Sequence, residues 1–115
     1  MKGDLRAAYE AELQAARRAA TEGDSERAFG HLARAHILSQ RFTLRHVYVH
    51  WRMLKLGAAV RDRREVLGQL SRMAAAAIFS RLWVPAGNTG RANVSALEPM
   101  PIPDDLRRLL ETSGP

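Results

Sequence analysis

Four histidines, His31, His36, His46 and His50, fall within twenty residues of a 115-residue chain. Neutral imidazole nitrogens ligate zinc, copper, nickel or iron, so their spacing is the first thing to test. His46 and His50 are four apart, which on a helix stacks both rings on one face and lets them converge on one ion. If the chain folds back near residue 41, His36 comes opposite His46, with His50 one turn deeper. The expected metal-ligating set is therefore His36, His46 and His50. Met53 continues the same stripe, and its thioether would favour copper(I). His31 lies about 140° around its helix from His36 at 100° per residue and falls outside the set. The competing reading makes these rings structural, either bonded each to its own partner or part of an aromatic-rich seam beside Tyr48 and Trp51.

Helices must position these rings. From Leu5 to Thr21 apolar and small residues recur every three or four positions. Gly23 stops that helix, and Asp24 or Ser25 caps a second one that carries Ala28, Phe29, Leu32, Ala35 and His36 inward and fades at Ser39-Gln40. Thr43 reads as the N-cap of a third helix that ends at Gly57. Asp62 caps a fourth, running to about Leu82. No strand-like alternation interrupts them, so the fold class is all-α. The expected core includes Phe29, Leu32, Val47, Trp51, Leu54, Leu67, Leu70 and Ile78. After Trp83 the composition changes: Pro85 to Gly90 reads as turns, and Glu98-Pro99-Met100-Pro101-Ile102-Pro103 as an extended strap. Leu97, Met100 and Ile102 give that strap something to bury. A short last helix is expected over Leu106 to Leu110. The organisation is one helical domain over 1–115, with hairpins at 3–40 and 43–82 and the strap with its helix at 83–115.

At an offset of 38 the chain matches itself: residues 24–34 against 62–72 pair Asp24 with Asp62, Gly30 with Gly68, Leu32 with Leu70 and Arg34 with Arg72. The unit is one helical hairpin used twice. Around Gly23-Asp24, Ala28, Leu32 and Ala35 the first unit resembles a tetratricopeptide repeat, although it lacks that family's tryptophan and tyrosine signature. The resemblance implies stacked hairpins and a groove. Over nearly the whole chain, the motifs His46-x-x-x-His50-Trp51-x-Met53-Leu54, Gly87-Asn88-Thr89-Gly90-x-x-Asn93-Val94-Ser95 and Pro99-Met100-Pro101-Ile102-Pro103 resemble a small bacterial family of unknown function. That likeness implies a bacterial source and a domain complete in itself, and no activity.

Composition excludes several classes of function. Without cysteine there is no disulfide, thiolate nucleophile or thiolate metal site. No apolar run approaches the roughly 18 residues needed to span a bilayer, and the N-terminus lacks a secretory h-region, so a cytoplasmic location is expected. The net charge of +6 would suit an anionic partner. Its arginines are dispersed, however, and read first as solvated helix faces, so nucleic acid is not favoured. No phosphate loop, nucleophile elbow or paired carboxylate points to catalysis, and no catalytic or cofactor-binding residue is assigned. The expectation leans away from an enzyme. It favours a tetratricopeptide-like binding module for a protein or peptide partner or for self-association. The alternative is a zinc-, copper- or nickel-binding protein built on the His cluster.

Overall fold

The computed structural model describes residues 1–79, 90–91 and 99–112. Among them it is all-helical: α1 (Gly3–Thr21), α2 (Ser25–Ser39), α3 (Thr43–Ala59), α4 (Arg63–Phe79) and α5 (Asp104–Thr112). Helix α1 packs on α2, α3 on α4, and α2 joins the two hairpins through α3. No helix among the described residues is long and apolar enough to cross a membrane.

The two hairpins turn in the same way, 38 residues apart. Gly23, at φ +80°, precedes Asp24, and Arg61, at φ +60°, precedes Asp62. Asp24 N–H closes on Ala19 O at 2.9 Å, and Asp62 N–H on Gly57 O at 2.8 Å. Each aspartate then caps the following helix. Arg27 N–H donates to Asp24 Oδ1 at 3.1 Å and Glu65 N–H to Asp62 Oδ1 at 3.0 Å. Such caps contribute about 1 kcal/mol apiece. The capping expectations for Asp24 and Asp62 hold. Thr43 is instead the first residue of α3, with Phe42 in the cap position. Gly57 does not end α3, which continues to Ala59. It is a close-approach residue, because a Cβ there would lie 3.2 Å from Glu65 Cβ and Cγ.

The core gathers Leu5, Tyr9, Phe29, Leu32, Leu38, Val49, Met53 and Leu106, so α5 folds back onto the bundle. Ile102 of the strap packs against it, half-buried, as expected. Asp105 is ion-paired with Arg34, which fastens α5 to α2. Phe29 and Leu32 are buried as expected, but Trp51, Leu67 and Leu70 are 44%, 68% and 52% exposed. Val47 and Leu54 are half-buried. The reason lies in the helix rotation. Helix α3 turns His46, Val49, His50 and Met53 inward, and α4 meets them with Glu65 and Gln69. Leu67 and Leu70 of α4 therefore face outward, with Val66 and Met73 half-buried, where Phe29 and Leu32, the counterparts of Leu67 and Leu70 on α2, face inward. The expected end of α4 at Leu82, the turns over 85–89, Leu97 and the side chain of Ile78 lie outside the described residues.

Candidate metal centre

The α2–α3 turn sets His36 opposite His46, and the α-helical period puts His50 one turn along from His46 on the same face. All three are buried, at 3%, 5% and 3% exposure. Their ring centroids form a near-equilateral triangle with sides of 4.6, 4.7 and 4.9 Å. The Nε2 atoms point toward one another. His46 Nε2 lies 2.9 Å from His36 Nε2 and 3.2 Å from His50 Nε2. Three ligand atoms, one from each ring, lie within 4.8 Å of one another. The structure thus brings together the three residues singled out from the sequence. His31 stands apart, as expected, with Nδ1 2.8 Å from Glu12 Oε2 on the far side of α2.

The proton count is informative. Gln69 Nε2 donates to Gly90 O at 2.8 Å and reaches Glu65 Oε2 and Met53 Sδ at 3.3 Å, all of them acceptors. That fixes the amide orientation, so Gln69 Oε1 faces His50 and accepts from His50 Nδ1–H at 2.5 Å. A neutral His50 therefore keeps a bare lone pair on Nε2. His46 Nε2 touches two neighbouring nitrogens, yet one ring nitrogen carries either one proton or one in-plane lone pair. It cannot donate to one neighbour and accept from the other. A single proton shared from His46 Nε2 fits this geometry, and so does one cation that takes all three lone pairs. The shared proton makes His46 Nδ1 a bare acceptor and the cation makes it an N–H donor, and in both cases that atom is buried without a partner among the described residues.

Burial also keeps His46 and His50 neutral, as ligation requires. Desolvation, reinforced by His50 nearby, pushes His46 from 6.5 down to about 3. Desolvation likewise takes His50 down to about 4; the Gln69 hydrogen bond opposes the shift and the Arg72 charge adds to it.

The shell around the rings was not visible in the sequence. Glu65 is 2% exposed and is ion-paired with Arg91, whose guanidinium also stacks 3.9 Å from the Phe29 ring centroid. Arg72 donates to the carbonyl of Arg91. Gly90, at φ +79°, lies against the His36 ring: a Cβ there would fall 2.6 Å from Cδ2 and 2.8 Å from Nε2. Gly90 was legible only as a turn residue, and Gln69 and Glu65 only as polar interruptions at i, i+4 spacing on α4. Met53 is fully buried, with its sulfur on the Gln69 amide rather than on a ring nitrogen.

No curated protein and no solved structure matches the chain. The family model described as "Protein of unknown function (DUF3703)" matches residues 3–110, and the chain belongs to that family.

Proposed function

We propose that the protein binds a transition-metal ion through His36, His46 and His50. The observation that carries this reading is the convergence of three buried imidazole rings on one point, with His46 Nε2 within 3.2 Å of the Nε2 atoms of both His36 and His50. Four-coordinate sites with bonds of about 2.0–2.1 Å need ligand nitrogens about 3.3 Å apart. The measured 2.9 and 3.2 Å approach that spacing before any adjustment. Gln69 plays the supporting part common around ligating histidines, holding Nδ1–H of His50 so that Nε2 faces the ion. Zinc, copper and nickel all accept such donors.

The test is elemental analysis of protein purified without an affinity tag, followed by thermal unfolding with added zinc, copper or nickel. One equivalent should bind, and a free ion at 100 times Kd should stabilise the fold by about 2.7 kcal/mol. His50→Ala should abolish the rise in thermal midpoint, whereas His31→Ala should keep it. A midpoint that ignores all three ions, or rises equally in His50→Ala, contradicts the reading.

A second reading, a module that docks a protein or peptide partner or pairs with itself, is favoured by the exposed apolar side chains Trp51, Leu67 and Leu70. Light scattering across a concentration series, repeated with Leu67→Asp, tests the self-pairing form of it. It does not compete for the residues of the metal site.

A further inference from the structure

We propose that the site is built for a monovalent soft ion, copper(I), held by three imidazole nitrogens alone, in preference to zinc(II). This rests on the metal-binding reading and narrows it.

The first argument is charge. The three ring donors are neutral, and among the described residues no carboxylate joins them as a ligand. The buried acid nearest the cluster, Glu65, is ion-paired with Arg91, and its other oxygen takes the Gln69 amide. Arg72 adds a second cation beside His50. Arg91 in turn also meets the exposed Glu26 at 3.9 Å, so among the described residues the acids near the rings are engaged by arginine and none adds its charge to the donor set. Desolvation of an ion rises with the square of its charge, so a dication meets about four times the penalty of a monocation here, and neutral donors do not offset it.

The second argument is coordination number. Structural zinc takes four donors, and catalytic zinc fills its fourth position with water or substrate. Here the rings are only 3–5% exposed. The Gly90 backbone sits on the His36 ring so closely that a single added carbon would overlap it. Copper(I) is content with three donors. A flat three-coordinate arrangement with bonds of about 2.0 Å needs nitrogens about 3.5 Å apart, a spread of about half an ångström from those observed. The Met53 thioether, packed on Gln69 in the same pocket, adds polarisable surroundings rather than another charge.

The experiment is an anaerobic competition in which the full-length protein draws copper(I) from a chromophoric copper(I) chelator, alongside a matching competition for zinc(II). X-ray absorption of the copper-loaded protein is recorded in parallel. The expected result is one copper(I) per chain, a shell of three nitrogens with imidazole scattering, and zinc held at least 100-fold more weakly. His31→Ala should behave as the parent, and His46→Ala should lose at least 100-fold in copper(I) affinity. Zinc bound as tightly as copper(I), or a fourth light-atom ligand on the copper, overturns the proposal and leaves the metal-binding reading standing. Failure to retain any of the ions overturns both.

Discussion

In the first hairpin, Glu12 on α1 takes His31 Nδ1 at 2.8 Å and Arg34 Nε at 2.7 Å across the seam to α2. The positions 38 residues on are His50 on α3 and Gln69 and Arg72 on α4, and His50 Nδ1 meets Gln69 Oε1 at 2.5 Å in the matching seam. One scaffold position thus carries a polar pair twice, with the imidazole moved from the second helix to the first. In the first hairpin Glu12 is also ion-paired with Arg34, and the cluster is part-exposed, with side chains at 15–33%. It shares Arg34 with Asp105 and so ties down α5. In the second the pair is neutral and buried, and it shares Gln69 with Gly90 and Glu65. A salt bridge near water contributes little and is screened. A buried amide–imidazole pair fixes one tautomer and leaves the other ring nitrogen bare. The same backbone yields a part-exposed clamp in one copy and a buried ring with a bare nitrogen in the other because burial, not spacing, sets the chemistry.

The sharpest way to break this contrast is to remove the acid from each hairpin. Glu65→Ala removes the buried carboxylate shared by Arg91 and the Gln69 amide, leaving part-buried Arg91 with the exposed Glu26, and should cost about 3 kcal/mol in chemical denaturation. Glu12→Ala should cost about 1 kcal/mol, within reach of salt screening. Equal losses would mean that the two seams are equivalent.

Acid stability sharpens the contrast further. The folded rings of His46 and His50 titrate at about 3 and about 4, against 6.5 for an unperturbed histidine. Above pH 6.5 both rings are neutral in folded and unfolded chains alike, and they contribute no pH dependence. As pH falls below 6.5, the unfolded chain takes up protons that the folded chain refuses, so stability should drop toward pH 4. The loss should be on the order of 5 kcal/mol in total by pH 4.5. Denaturant titrations from pH 7.5 to 4.5 on metal-free protein check this. His50→Gln should flatten the curve, and His31→Gln should leave its shape unchanged.

The smallest effect concerns the turns. Gly23 and Arg61 occupy the same left-handed position, where a side chain is strained. Arg61→Gly should raise stability by about 0.5–1 kcal/mol, and Gly23→Ala should lower it by a similar amount.

Much of this could be read from side-chain type and spacing. Asp24 and Asp62 announce their caps, and the i, i+4 histidines with a turn at residue 41 bring His36 to His46, because helix geometry is local. The rotation of α4 was not legible. Leu67 and Leu70 look like core by their period, yet Glu65 and Gln69 face inward, because buried imidazoles opposite them supply the hydrogen-bonding and electrostatic partners that a polar core residue needs. Gly90, far along the chain, meets His36 only through tertiary packing. Its composition signals a turn and says nothing of the ring beneath it. Trp51 is exposed against expectation for the same reason as Leu67: an apolar residue at helical spacing does not say which of two faces the next helix will cover.

The central claim is that three Nε2 atoms present one ligand face while the His50 Nδ1–H stays on Gln69. Long-range proton–nitrogen NMR of the imidazoles, recorded with and without one equivalent of zinc, tests it most directly. Zinc is diamagnetic and spectroscopically clean, and its binding at millimolar concentration suffices. The account predicts that the Nε2 resonances of His36, His46 and His50 shift together with 1:1 stoichiometry. The His50 Nδ1 should stay protonated, and both His31 nitrogens should stay unmoved. Shifts at His31 with the other three silent, or three rings titrating at separate zinc concentrations, would contradict it.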